Sequence, residues 1–186
     1  MTSRPTLLFY CQHAMGMGHL VRSLALADAL SESFRVVLLN GGELPSHQSL
    51  PRSIEIINLP PLRLVEGQLV SCDNRYSVVQ AQNARMDQIL NSLRQLRPEV
   101  LLIELYPFGR KKFEFELLPL LEEAKTLAPL IVCSLRDILM TGRSDQQKHE
   151  QRILSAANRW FDVILVHSDP SFASLKDSFH PHSCLS

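Results

Sequence analysis

Gly16-Met17-Gly18-His19-Leu20-Val21-Arg22-Ser23-Leu24-Ala25-Leu26-Ala27-Asp28-Ala29-Leu30 decides the fold. Just before it, Leu7-Leu8-Phe9-Tyr10-Cys11 is a short apolar run of the kind a buried strand needs. After the glycines, Leu20, Leu24, Ala27 and Leu30 recur at three- and four-residue steps, which gives a helix one apolar face. The reading is strand, tight glycine turn, helix. Gly16 and Gly18 let the backbone turn sharply and keep Cβ atoms out of a ligand's way. The first helical turn then offers free N–H groups and a positive dipole end, which favour a diphosphate or a developing oxyanion. The dinucleotide fingerprint is incomplete, because Val21 and Arg22 stand where its third glycine belongs. No Lys-Ser or Lys-Thr pair follows, which excludes a P-loop.

Working outward, Arg35 to Asn40 reads as a second strand closed by Gly41-Gly42, and Ile54 to Leu59 as a third, stopped by Pro60-Pro61. Leu62 to about Asn74 shows no clean periodicity and reads as a long loop, either a plain excursion or a substrate lid. Val79, Met86, Ile89, Leu90, Leu93 and Leu96 place an amphipathic helix between Tyr76 and Arg97, closed by Pro98. Glu99 to Glu104 and Leu130 to Leu135 are nearly unbroken apolar strands, as strands covered on both faces are. Between them a helical stretch ends near Leu127, and Pro119 should start or kink it. Asp145 to Phe161 forms one more helix with Ile153, Leu154, Ala157 and Trp160 inward, and Asp162 to Val166 forms the last strand. Strands alternating with helices at this spacing predict an α/β fold, a Rossmann-like, doubly wound and mostly parallel sheet.

The composition fits one globular domain of 186 residues, 45% hydrophobic and 20% charged. Lys plus Arg equals Asp plus Glu, at 19 each, so no global field argues for nucleic acid or an anionic membrane. The apolar runs are too short for a transmembrane segment or a signal peptide's core, and a cytoplasmic protein is expected. Cys11, Cys72, Cys133 and Cys184 have no metal-ligand spacing, and Cys11 and Cys133 read as apolar filler within strands.

The Gly16 to Leu30 run, with its glycine turn, His, aliphatic pair, Arg, small residue and Leu-x-Leu-Ala, resembles the first βα turn of GT-B glycosyltransferases. It resembles in particular a group of predicted bacterial glycosyltransferases. These are related to the hydrolase of the pseudaminic acid pathway that removes UDP from a UDP-linked amino sugar, and to MurG-like transferases. Further matches lie at Tyr106 to Leu121, Ser134 to Leu139 and Val166 to Pro170. The resemblance implies the N-terminal, acceptor-side half of a GT-B fold, occupying residues 1–186, with the C-terminal donor-binding domain absent. It implies transfer of a sugar from a nucleotide-sugar donor to a small-molecule or glycan acceptor, with no further cofactor and no metal. A chain that holds only this half is expected to be inactive alone. It would be a truncated product, an excised piece, or a natural subunit that recruits a separate donor-binding chain. A nucleotide-sugar hydrolase and a non-catalytic partner subunit are the alternatives.

In an open parallel sheet ligands bind beyond the carboxyl ends of the strands, where this sequence gathers its polar groups. His19 is the candidate catalytic base, since a helix start opposes imidazolium and favours the proton-accepting form. Capping the turn is its alternative role. Gly16, Gly18 and Arg22 belong to the same turn. Arg110 and Lys111, with Lys112, place positive charge where a helix begins, which suits a bound anion or a solvated corner answered by Glu114 and Glu116. Glu104 either orients a ligand hydroxyl or caps the next segment. Arg136 and Asp137 either pair with each other or touch the acceptor. His167-Ser168-Asp169 lacks the glycine elbow of a serine nucleophile, and Asp169-Pro170 reads as a helix start.

Overall fold

Six strands form one parallel sheet in the order β3-β2-β1-β6-β7-β8. They are β1 (Thr6–Cys11), β2 (Arg35–Asn40), β3 (Glu55–Asn58), β6 (Val100–Glu104), β7 (Leu130–Arg136) and β8 (Val163–His167). A separate antiparallel pair joins β4 (Leu62–Val65) to β5 (Gln68–Ser71). The helices are α1 (Gly18–Leu30), α2 (Val78–Leu96), α3 (Glu114–Leu127) and α4 (Gln146–Trp160), with a 3₁₀ turn at Lys111–Phe113. The computed structural model describes residues 4–13, 18–44, 50–136, 144–167, 171, 175 and 178–180. No helix among them is long and apolar enough to cross a membrane.

Alternation along the strands sorts the core into two layers. Leu7, Phe9, Cys11, Leu38, Leu102 and Val132 point to one face, where α1 packs Leu20, Leu24 and Ala27. Leu8, Tyr10, Leu39, Leu101 and Ile103 point to the other, against Ile89 and Leu93 of α2 and Leu117, Leu120 and Leu121 of α3. Ile153 of α4 joins this second face through Cys133 and Leu135. A sheet covered on both faces is the doubly wound arrangement expected from the sequence. The chain leaves β1 toward β2 and β3 on one side and returns through β6 toward β7 and β8 on the other. The β1/β6 boundary is therefore the switch point, where open α/β sheets leave a crevice beyond their strand ends.

Two local readings need correction. Residues 62–71 are a hairpin rather than a loop, turned by Glu66 (φ 49°) and Gly67 (φ 76°), with Val65 opposite Gln68. Positive φ at both turn positions is the hairpin-favouring geometry. The helix expected between Tyr76 and Arg97 is α2, which begins at Val78 because Ser77 caps it: its hydroxyl accepts from Gln80 N–H while the Gln80 side chain accepts from Ser77 N–H. The other correction is at α3, which starts at Glu114 and contains Pro119, so the proline does not start it.

Candidate functional site

The site is built from the two strands at the switch point. At the start of α1 an added Cβ on Gly18 would meet nothing within 4 Å. His19 and Arg22 are three residues apart on α1 and share one face. Both reach Glu104, the last residue of β6, whose side chain is wholly buried. His19 Nδ1 lies 2.6 Å from Glu104 Oε1, and Arg22 Nη2 lies 3.3 Å from the same oxygen. Arg110 Nη2 donates to the other oxygen, Oε2, at 2.7 Å.

Arg110 gets there through a tight reversal after β6. Leu105 (φ 67°) and Arg110 (φ 63°) are both left-handed, and Gly109 N–H donates to the Leu105 carbonyl at 2.8 Å. Left-handed backbone at a non-glycine residue costs about 1–2 kcal/mol. Burial of Tyr106 and Phe108 and the Arg110–Glu104 ion pair hold the turn against that cost. A side chain at position 109 would press on Leu105, its Cβ 2.8 Å from Leu105 Cδ2.

Burial alone would push the Glu104 carboxyl up. The His19 hydrogen bond and the Arg110 charge outweigh it and hold the group below its ordinary value. Glu104 is therefore an anion that accepts, and Nδ1 of His19 carries the donated proton. That tautomer leaves Nε2 as the free lone pair, and Nε2 hydrogen-bonds nothing among the described residues. A cleft of about 290 Å³ opens beside it, lined by Gly18, His19, Arg22, Arg136 and His167. Arg136 and His167 sit side by side in the β7–β8 register, and His167 Nε2 meets Ser134 Oγ at 2.9 Å. Burial, with the Arg22 charge added, lowers the His167 pKa.

Of the candidates read from the sequence, Gly18, His19, Arg22 and Arg136 line this cleft, and Glu104 and Arg110 lie beneath it. Lys111 is exposed in the 3₁₀ turn and is not among the lining residues. Gly16 and Asp137 lie outside the described residues. His13, two residues past β1, is buried, and that burial lowers its pKa. Its ring occupies the space a Cβ on Gly42 would take, 2.5 Å away. Cys11 is buried beneath the site; burial first, then the Glu104 charge, push its thiol up to about 12, which makes it inert filler. Cys184 lies outside the described residues. Among the described residues no group of three or more His, Cys, Asp or Glu side chains is placed to hold a metal.

The sequence reading missed a second polar centre on the opposite face of the sheet. Arg85 of α2 is completely buried and forms an ion pair with the equally buried Glu116 of α3. It also donates to the carbonyls of Gly41 and Pro60 and to Gln12 Oε1, while Tyr10 donates to Glu116 at 2.5 Å. The available signal was an arginine on the apolar face of a predicted helix. A larger cleft of about 650 Å³ lies over α3 and α4, beside Leu118, Lys148 and Trp160, and no histidine lines it.

No protein-family model and no curated protein matches the chain in sequence. Solved structures do match. A UDP-glucosyltransferase from Polygonum tinctorium, capable of glucosylating indoxyl and complexed with 3,4-dichloroaniline, aligns with a TM-score of 0.53 at 14% identity. The alignment covers 100% of this chain and 54% of that one. Phytolacca americana UGT2, complexed with UDP-2-fluoro-glucose and pterostilbene, aligns at TM-score 0.46 and 19% identity, over 74% of this chain and 32% of its own. A sucrose-phosphate synthase from Thermosynechococcus elongatus aligns at TM-score 0.45 and 11% identity, over 97% of this chain and 89% of its own. The chain thus has the Rossmann-like α/β fold that makes up about half of a GT-B-type glycosyltransferase, and it spans 54% of the Polygonum enzyme's length.

Proposed function

We propose that this domain is the acceptor-side half of a glycosyltransferase that uses a nucleotide-sugar donor, with His19 as its general base. The single observation that carries the reading is the His19–Glu104 pair at the β1/β6 switch point, 2.6 Å apart beside a cleft. The fold shared with half of a UDP-glucosyltransferase supports it. In the proposed reaction an acceptor hydroxyl gives its proton to His19 Nε2 as its oxygen attacks the anomeric carbon. The bond from that carbon to the diphosphate breaks, and the nucleoside diphosphate leaves with the electron pair. Glu104, accepting from Nδ1–H, fixes the ring's tautomer and stabilises the imidazolium that forms. The His19 hydrogen bond and the Arg110 charge favour the ionised form of Glu104. Gly18, Arg22 and Arg136 would contact the substrate from the walls of the cleft.

The donor's remaining contacts belong, in this reading, to a second Rossmann-like unit, either covalently attached or a separate partner chain. The group of predicted bacterial glycosyltransferases resembled by the Gly16 to Leu30 run is the proposed kinship. The test is nucleoside diphosphate release from a panel of UDP-sugars, measured on the complete protein with and without acceptor alcohols. Changing His19 to Ala should lower the rate on the order of 10²- to 10⁴-fold while the fold is retained. An unchanged rate in that variant would remove His19 from the chemistry. Release that needs no acceptor would make water the nucleophile and the protein a hydrolase. Efficient turnover by residues 1–186 alone would refute the half-cleft reading.

A further inference from the structure

The cleft beside His19 has an unbalanced charge. Two guanidiniums line it from separate elements, Arg22 from α1 and Arg136 from the end of β7, while Arg110 is held beneath on Glu104. The one carboxylate among them, Glu104, has both oxygens occupied, by His19 and Arg22 on one side and Arg110 on the other. Among the described residues Arg136 makes no ion pair and no acid lines the cleft. His167 adds an imidazole one register step across from Arg136 and is anchored by Ser134. Burial, with the Arg22 charge added, lowers the pKa of this imidazole.

From this convergence we infer that the wall formed by Arg22, Arg136 and His167 binds the phosphoryl group of a mono- or diphosphate ester, placed so that the adjoining sugar or alcohol reaches His19. The inference rests on the reading that this cleft receives substrate, and it specifies that substrate as phosphorylated. A carboxylate is planar, singly charged and satisfied by one arginine fork. Donors arriving from three elements and different directions suit a tetrahedral group with more charge and three free oxygens. One phosphoryl chemistry has two possible sources, a phosphorylated acceptor or the donor's own diphosphate.

The experiment titrates the protein with inorganic pyrophosphate by calorimetry at low ionic strength, and follows the His167 ring proton by NMR. One saturable site is expected. Arg136→Gln should weaken it on the order of tenfold to a hundredfold, the loss of a charge-assisted bond. His167→Asn should weaken it by a smaller factor. Arg159→Gln, which removes the arginine stacked on Trp160 of α4, should change nothing. Saturation should raise the His167 pKa. Glucose 1-phosphate binding at least as well as pyrophosphate identifies the acceptor as the source; UDP binding at least tenfold better than either identifies the donor. No saturable binding, or equal binding by Arg136→Gln and Arg159→Gln, overturns the inference. His19→Ala separates the two readings: it should keep pyrophosphate binding while abolishing turnover. Retained turnover with retained binding would sink the base assignment and leave the phosphoryl site standing.

Discussion

Glu104 and Glu116 are both wholly buried carboxylates bound to guanidiniums, on opposite faces of one sheet, yet they are built to different ends. Around Glu116 the ring is closed. Arg85, Tyr10, Gln12 and two carbonyls satisfy one another, and a Cβ added at Gly41 would strike Gln12 Oε1 at 2.0 Å and Arg85 Nη2 at 2.8 Å. This centre ties β1, the end of β2, α2 and α3 together. Around Glu104 the ring has a gap, because one partner is a histidine whose second nitrogen is unused and faces a cleft. A closed cluster holds the fold, whereas an open one has capacity left for a ligand.

The largest expected effect breaks the closed cluster. Arg85→Ala strands a buried carboxylate and should cost about 3–5 kcal/mol, read as a lowered denaturation midpoint. Loss of under 1 kcal/mol would mean that water or rearrangement replaces the arginine. Glu104→Gln keeps the shape of the open cluster but removes its charge, and should cost less, about 1–3 kcal/mol.

Acid sharpens the same contrast. His13 and His167 have lowered pKa values when folded, so the unfolded chain takes up their protons first and stability declines as pH falls through the ordinary imidazole range, near 6.5. Glu104 is held below its ordinary value of 4.5, so its contribution is present above that pH and is lost as pH falls through the lower, folded value. Glu104→Gln should remove this second limb and leave the first. A pH–stability profile with both limbs unchanged in the variant would show that Glu104 is not the group responsible.

Smaller effects follow from the two glycines. Gly41→Ala intrudes on the closed cluster and should cost about 1–3 kcal/mol, while Gly18→Ala points into open space and should stay within about 0.5 kcal/mol. Thermal melts of the two variants that coincide would contradict the closed–open distinction. Smallest is Arg94→Ala, which removes the exposed pair with Glu123 and should leave the denaturation midpoint nearly unchanged.

Periodicity made the sheet legible. Alternating strands and helices, the apolar stripe of α1 and the inward face of α4 all show in the spacing of leucines, isoleucines and alanines. The hairpin escaped because its strands are four residues each and its turn reads Glu66-Gly67, where asparagine or aspartate is the common first residue. His19 stood out by its place after the glycines, and Glu104 by its place at a strand end. Their pairing could not be read from spacing, because it depends on β1 and β6 becoming neighbours. Arg85 stayed hidden for a related reason. Sequence shows a charge on a helix, but only packing shows that Glu116 is waiting for it.

His19 and Glu104 lie 85 positions apart in the chain. Contacts of such separation close a large loop and are among the slower ones to form. Strand β1 must find β6, with β2 to β5 and α2 already spooled out between them, before the imidazole meets its carboxylate. Ring-proton signals of His19 during refolding would therefore serve as a clock for the pairing of β1 with β6. A fragment ending before Val100 could keep α1 and still carry no dyad at all.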